Sequence, residues 1–317
     1  MTTTHPGGNR LLYGCMGLGG DWDAEEYRPS DVSAAEAAVE AALEAGITVF
    51  DHADIYRRGK AEAVFGEVLS RAPGLRERIT LQSKCGIRLA TDSSPGIYDL
   101  RGSSIRRRVE ESLARLRTDS LDTLLLHRPD PLADPADLAE ALMSLHREGL
   151  VRAFGVSNMG AAQIEDLQAY LDVPLTVNQL EMSLAQRDWL ESGVLVNTPA
   201  AAGNGFPFGT VEHCRRNGLQ LQAWGALAQG RFTGRQETAQ DQRTASLVAS
   251  LAEARNTTPE TVVLWWLQRH PARIAPVIGS TNPGRIRACG DAAVREPELS
   301  HEDWYDLWLT ARGQPLP

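Results

Sequence analysis

The sequence predicts a (β/α)8 barrel, and three observations carry that expectation. Eight short strand-type runs alternate with amphipathic helical stretches. The runs are almost continuously apolar, which suits parallel strands covered on both faces. Chemically active side chains recur where these runs stop, at ends that would face one mouth of a barrel. Eight alternations fit a closed barrel better than a doubly wound sheet. The 317 residues would fit one large domain or two ordinary ones, and α/β barrels commonly reach about 250 residues or more as one domain. We expect a single barrel domain over residues 11–317 behind a loose tail at residues 1–10.

The tail, MTTTHPGGNR, is polar and glycine-containing and lacks the basic and apolar regions of a signal peptide. Leu11–Met16 is the first strand-type run. The segment Gly14-Cys-Met-Gly17-Leu-Gly19-Gly20 imitates a phosphate-binding loop, but Trp22 stands where GxGxxG needs its third glycine, and no GK[ST] follows. It reads better as a strand end at the mouth, where Gly17 and Gly19 let a cofactor approach. Ser33–Ala45 reads as a helix, with Ser33 and Glu36 spaced as a capping box and Gly46 just beyond its last turn. Thr48–Phe50 is the second strand-type run and leads straight into Asp51.

Ile79–Ser83 is the third run. The helix after it, Ser103–Arg117, carries Ile105, Val109, Leu113 and Leu116 at helical spacing. Thr123–Leu126 with helix Pro135–Arg147, and Ala153–Val156 with helix Ala161–Tyr170, repeat the unit. Leu175–Asn178 and Leu219–Ala223 are the sixth and seventh runs. Pro259–His270 is a helix whose proline suits its first turn, and Ile274–Ile278 is the eighth run. Leu195–Phe208, rich in Gly, Pro, Ala and Asn, and the polar stretch Gln229–Arg243 are expected to be long loops, often lids or clamps in compact domains.

Composition narrows the function. The net charge is −9, from 32 basic against 41 acidic residues, and without a dense Lys/Arg run this argues against nucleic acid and anionic membranes as partners. No apolar run approaches the roughly 20 residues of a membrane span. Cys15, Cys85, Cys214 and Cys289 form no CxxC, which points to a reducing cytoplasm, not a disulfide framework. No cysteine or histidine pair has ligand spacing, so no metal is expected.

Asp51 follows the second run, Lys84 the third and His127 the fourth, and Tyr56 lies five residues beyond Asp51. Any one could be the polar residue that a chain needs as it turns to solvent. Together, an Asp, a Lys, a His and a Tyr at one barrel mouth can tune each other's pKa and move a proton.

With these residues the sequence resembles the aldo-keto reductases. The resemblance rests on Asp51-x-Ala53-x-x-Tyr56 with Glu62 and Gly66, on Ser83-Lys84 and on Leu126-His127. It continues through Gly155-Val156-Ser157-Asn158, Asn178-Gln179-x-Glu181, Ala223-Trp224-Gly225-Ala226-Leu227 and Ile278-Gly279-Ser280-Thr281 with Arg285. It spans about Leu11 to Arg287, and HRPDPL and QSKCG are most similar to a bacterial oxidoreductase branch.

The resemblance implies an NADP(H)-dependent (β/α)8 reductase of small aldehydes or ketones. Tyr56 would be the general acid and Lys84 would lower its pKa. Asp51 would hold Lys84, and His127 would orient the carbonyl. Ser157, Asn158 and Gln179 would hold the nicotinamide carboxamide, and Trp224 would stack on the ring, although a buried core tryptophan reads the same way. Gly225, Ala226 and Leu227 would line the cofactor. Gly279, Ser280, Thr281 and Arg285 would meet the 2′-phosphate, although Arg285 alone reads as a solvated helix residue. Two departures stand out: Gly225 replaces a serine common near the pyrophosphate, and Leu195–Phe208 is unusual in composition. Trp22, Tyr27 and Trp189 are candidates for an apolar pocket wall, and Cys85 is either redox-sensitive or a buried inert thiol. A nicotinamide-binding, redox-sensing regulatory subunit with little turnover is the alternative function.

Overall fold

The computed structural model describes residues 10–317, so the tail expected at residues 1–10 lies outside the described residues except for Arg10. The strands are β1 (Leu12–Gly14), β2 (Val49–Asp51), β3 (Thr80–Cys85), β4 (Ile87–Arg88), β5 (Ile97–Tyr98), β6 (Leu121–Leu126), β7 (Val151–Ser157), β8 (Leu175–Glu181), β9 (Gln220–Trp224) and β10 (Ala275–Ile278). The helices are α1 (Pro29–Glu44), α2 (Lys60–Arg71), α3 (Gly102–Leu116), α4 (Pro135–Arg147), α5 (Ala161–Gln168), α6 (Asp188–Val194), α7 (Thr210–Asn217), α8 (Ala239–Ala254), α9 (Pro259–Gln268), α10 (Pro283–Arg287), α11 (Gly290–Val294) and α12 (His301–Arg312).

Eight strands close into a parallel barrel in chain order, β1-β2-β3-β6-β7-β8-β9-β10, with β10 returning to β1. This is the expected (β/α)8 fold. The antiparallel pair β4–β5 lies outside the barrel and is not foreseen, because two-residue strands leave no periodic signal.

Strand alternation sorts the side chains. Tyr13 and Phe50 belong to the core between strands and helices, Tyr13 packs on Phe50 at 5.8 Å, and Phe50 packs on Phe65 of α2 at 5.2 Å. Their neighbours Leu12 and Val49 point the other way and form a separate apolar cluster with Ala275 and Val277 inside the barrel. One step of two along β2 from Val49 is Asp51, which therefore also faces inward. The same period places Gln82 and Lys84 of β3 inward, while Leu81 and Cys85 join the outer core.

Close approaches fix the register. A Cβ on Gly66 would lie 2.1 Å from the Arg115 carbonyl, so only glycine lets α2 seat on the end of α3. Glu62 of α2 is fully buried and accepts from Ser83 Oγ (2.6 Å) and Arg115 Nε (2.8 Å), locking α2 to β3. Gly155 sits between Leu125 and Val177 where a Cβ would clash with both, at a bulge that brings Ser157 opposite Gln179.

Several boundaries differ from expectation. Helix α1 starts at Pro29, and the Asp31 carboxylate accepts from the Arg28 backbone N–H (2.7 Å). Ser33 is inside the helix, donating to the Pro29 carbonyl (3.4 Å), so the Ser33/Glu36 capping box does not form. Proline at the first helical position is the stronger start signal. The stretch read as loop at Gln229–Arg243 gives way to α8 at Ala239, capped by Thr238. Within Leu195–Phe208, Pro199–Gly203 forms a 3-10 turn. No helix among the described residues is long and apolar enough to cross a membrane.

Candidate active site

Asp51 ends β2, and the chain beyond it stays against β3. The N–H groups of His52 and Asp54 donate to the carbonyls of Gln82 (2.8 Å) and Lys84 (2.9 Å). The Asp54 carboxylate is anchored by Arg108 of α3 at 2.7 Å. Tyr56 then turns over the mouth, its N–H donating to the Ala53 carbonyl (3.0 Å). Arg57 and Arg58 follow in the left-handed region, with φ of 51° and 57°. Non-glycine residues held there cost about 1–3 kcal/mol each, a strain that clusters at functional sites. The Arg57 guanidinium lies 5.7 Å from the Trp22 ring centroid, and its Nε donates to the Met16 carbonyl (3.2 Å), so this turn is braced against the β1 loop.

Lys84 is the centre of the site. Its Nζ donates to both Asp51 oxygens (2.7 and 2.6 Å), to the His52 carbonyl (2.9 Å) and to Tyr56 Oη (3.1 Å). Lys84 and Asp51 are 1% and 2% exposed, so the pair persists only because each charge answers the other. Burial alone would lower the Lys84 pKa, but Asp51 and Tyr56 outweigh it and hold the ammonium above its ordinary value. Burial raises the Tyr56 phenol. The Lys84 charge and hydrogen bond pull it down, as the family resemblance implies, without overcoming the burial, and Asp51 adds to the rise. The phenol is therefore protonated at neutral pH.

His127 follows β6, its ring edge-on to Tyr56 with centroids 6.1 Å apart. Burial, then the charges of Lys84 and Arg128, push its pKa down to about 3. It is a neutral imidazole, and its Nδ1 is buried without a partner among the described residues. Asp51, Tyr56, Lys84 and His127, drawn from three strand ends, are thus one cluster.

Beside it lies a second set. Asn158, at φ 58°, donates from Nδ2 to Ser157 Oγ (2.8 Å) and to the His127 carbonyl (3.3 Å). Its Oδ1 accepts from Trp224 Nε1 (3.2 Å), and Ser157 Oγ donates to the Gln179 carbonyl (2.9 Å). Trp224 is half-buried and so is not a core tryptophan. Gly225 adopts φ 70°, which gives its departure from serine a backbone reason. Ala226 is buried and Leu227 half-buried in the same turn. Gly279 and Thr281 are exposed and Ser280 half-buried after β10. Arg285 is exposed and enters no salt bridge among the described residues, whereas Arg287 is tied to Glu44 at 2.6 Å. A Cβ on Gly17 would meet the Thr281 methyl at 2.7 Å, which sets Gly17 against Thr281, and one on Gly19 would meet the Lys60 backbone at 2.7 Å. Both glycines seat protein on protein.

One correction concerns the pocket wall. Trp189 is 3% exposed and packs on Trp266 (5.8 Å) and His270 (5.2 Å), a core position. The Tyr27 hydroxyl donates to Glu67 of α2 (3.4 Å). Only Trp22, through its contact with Arg57, borders the Tyr56 turn. Cys85 is buried, and burial pushes its thiol well above the ordinary value, which makes it the inert alternative. Sequence reading missed Gln82 and Gln222, inward-facing amides packed beneath Asp51. The signal was present: each stands two residues before a site residue, Lys84 or Trp224, on the same strand face.

The family model that matches this chain, described as "Aldo/keto reductase family", covers residues 10–307. The chain belongs to the aldo/keto reductase family. The uncharacterised oxidoreductase YcsN of Bacillus subtilis is 36% identical over 304 residues, 94% of either chain. The 6-dehydroglucose reductase of Novosphingobium aromaticivorans is 36% identical over 304 residues, 94% of this chain and 92% of the relative. Among solved structures, an aldo-keto reductase of Klebsiella pneumoniae in complex with NADPH superposes with a TM-score of 0.73 at 25% identity, over 97% of this chain and 92% of that one. Within this aldo/keto reductase the Asp51–Lys84–Tyr56 chain is complete.

The buried histidines of this chain are expected to govern its acid stability. Burial, with the Lys84 charge adding for the first two, pushes His52 and His127 down to about 3, and burial with Arg215 pushes His270 down to about 4. Each is neutral in the fold but charged in the unfolded chain below about pH 6.5. Stability should therefore fall as pH drops, by about 1.4 kcal/mol per unit per histidine. Asp54 opposes this: burial, against Arg108, raises its carboxyl to about 6, so between about pH 6 and 4 the fold keeps a proton that the unfolded chain has released. With three protons taken up and one released, net uptake on unfolding should be about two in that window. Denaturant titrations at half-unit pH steps measure it, and a flat or rising stability toward pH 4 would exclude it.

Proposed function

We propose that the protein reduces aldehyde or ketone carbonyls to alcohols with NADP(H), with Tyr56 as general acid. The observation that carries this reading is the buried Asp51–Lys84–Tyr56 hydrogen-bond chain at the barrel mouth, beside neutral His127. When bound, the nicotinamide supplies hydride to the carbonyl carbon. Tyr56 Oη gives its proton to the carbonyl oxygen, and the phenolate left behind is stabilised by Lys84 Nζ, 3.1 Å away. Asp51 keeps Lys84 charged and aimed. His127, neutral and with its proton on Nε2, donates to the same oxygen and fixes its direction.

The residues fit the cofactor. Asn158 and Ser157 offer amide and hydroxyl groups whose longest bonds, 3.3 Å to the His127 carbonyl and 3.2 Å to Trp224, are the ones a carboxamide can replace. The Gln179 nitrogen is already engaged by Asp51 and Gln222, which leaves its oxygen for the task. Trp224, half-buried beside Asn158, suits ring stacking. The turn of Gly225, Ala226 and Leu227, with Gly279, Ser280, Thr281 and the uncommitted Arg285, suits the phosphate end. Gly17 serves there indirectly, by seating Thr281.

Turnover tests the reading: NADPH absorbance should fall in the presence of at least one member of an aldehyde and ketone panel. Binding of NADPH without turnover across the panel would favour a sensing subunit instead. No acidic residue stands among Gly279–Arg287 to accept from a free ribose 2′-OH, so NADPH should bind more tightly than NADH. Arg285→Ala should weaken NADPH by about 1.5–3 kcal/mol, or roughly 10- to 150-fold, the scale of a bond to a charged group. NADH affinity should stay nearly unchanged. Fluorescence titration of both cofactors decides it, and equal losses would show that Arg285 does not read the phosphate.

A further inference from the structure

Beside Asp51, above the inner apolar cluster of Leu12, Val49, Ala275 and Val277, the barrel interior is filled by amides and not by the branched apolar residues usual in this fold. Gln82 Nε2 donates to Asp51 Oδ1 (2.5 Å) and to Gln222 Oε1 (2.9 Å). Gln222 Nε2 donates back to Gln82 Oε1 (3.1 Å) and to Gln220 Oε1 (3.2 Å). Gln179 Nε2 bridges Asp51 Oδ1 (3.1 Å) and Gln222 Oε1 (3.0 Å). Gln82 and Gln222 stand on β3 and β9, which are not neighbours, so their bonds cross the barrel. Both are almost fully buried, at 1% and 2% exposure. Packing alone would favour apolar side chains here, because buried amides lose solvation and rotamer freedom. Yet every polar bond in the ring leads to Asp51 Oδ1 or supports a group that does, apart from the one to Gln220.

We propose that Gln82 and Gln222 are positioning residues that weaken the hold of Asp51 on Lys84 and thereby make Tyr56 more acidic. Among the described residues, Asp51 Oδ1 accepts from three donors, Lys84 Nζ, Gln82 Nε2 and Gln179 Nε2, whereas Oδ2 accepts from Lys84 alone. Two neutral amide donors at Oδ1 draw part of the carboxylate's charge away from Lys84. Without them the carboxylate neutralises Lys84 more completely. Lys84 Nζ is shared with Tyr56 Oη, so a more neutralised ammonium stabilises the phenolate less, and the Tyr56 pKa rises. Gln222 acts one step further out, by holding the Gln82 and Gln179 amides with their nitrogens toward Asp51.

The proposal rests on Tyr56 as the acid, and the test separates the two. Alcohol oxidation with NADP+ needs the Tyr56 phenolate, so its kcat/KM rises with pH toward the Tyr56 pKa. Gln82→Met keeps the side-chain length and removes the amide. It should move that rise upward by roughly half to one pH unit, the scale of one lost hydrogen bond, lowering oxidation several-fold at fixed pH. NADPH affinity by fluorescence should not move. Gln222→Met should shift the profile in the same direction by less, and the double variant by little more than Gln82→Met alone. A purely structural role would lower both reaction directions and leave the profile in place, and that result overturns the proposal. Failure of both variants to fold would also overturn it, by showing that the ring serves the barrel itself. Tyr56→Phe is run beside them. If the rise persists in Tyr56→Phe, the acid assignment fails. If it vanishes there but Gln82→Met leaves it in place, only the glutamine proposal fails.

Discussion

Tyr56→Phe is expected to lower kcat and kcat/KM together by roughly 10²–10⁴-fold, the contribution of a positioned general acid, or about 2.7–5.4 kcal/mol of barrel-mouth transition-state stabilisation. The two constants fall together because the proton is given up only in the transition state. The ring remains, so its contact with His127 survives. NADPH affinity should survive as well, since Tyr56 Oη is bonded to Lys84 and not to Asn158, Ser157 or Trp224. Stability should change little, because Lys84 keeps three other acceptors, both Asp51 oxygens and the His52 carbonyl. Single-turnover NADPH oxidation with a reactive aldehyde measures the effect. If Tyr56→Phe keeps more than about a tenth of the rate, well short of the usual acid–base contribution, the hydroxyl is not the proton donor.

The barrel and its mouth were legible because strand alternation is strict. Once Val49 is inside, so is Asp51, and Phe50 must face α2. The same rule carries Lys84, and it extends to Gln82 and Gln222, polar side chains inside apolar runs two residues before Lys84 and Trp224. Other features leave no local trace. Arg57 and Arg58 adopt left-handed backbone that their residue type disfavours, so only the packing of the Tyr56 turn onto β1 and α2 reveals it. Trp189 looked like a pocket wall because composition cannot say which side of a helix layer an aromatic faces, and its partners Trp266 and His270 lie far along the chain. Ser33 and Glu36 have capping-box spacing, but Pro29, four residues earlier, already starts the helix and leaves Ser33 inside it.

Lys84→Met should produce two separable losses. The first is structural. It strips a 2%-exposed carboxylate of its cation, and breaking a buried pair from one side destabilises by about 3–5 kcal/mol. The second is catalytic. Without the ammonium the Tyr56 phenolate has no counter-charge, so the rate should fall by an amount similar to Tyr56→Phe, roughly 10²–10⁴-fold. Adding Tyr56→Phe to Lys84→Met should cost the rate far less than the two single losses combined, because both changes disable one proton donor. Adding Asp51→Asn instead should separate structure from chemistry. Asparagine can keep an oxygen for the Gln82 and Gln179 amides, which now meet Asp51 Oδ1 at 2.5 and 3.1 Å, and no buried charge is left unpaired. Most of the lost stability should therefore return, while the rate should not, since nothing has replaced the cation beside Tyr56. Denaturant midpoints and single-turnover rates on the same five proteins, wild type, Tyr56→Phe, Lys84→Met and its combinations with Tyr56→Phe and with Asp51→Asn, decide the matter. Recovery of the rate along with the stability would mean that Lys84 serves the fold alone and that Tyr56 does not depend on its charge.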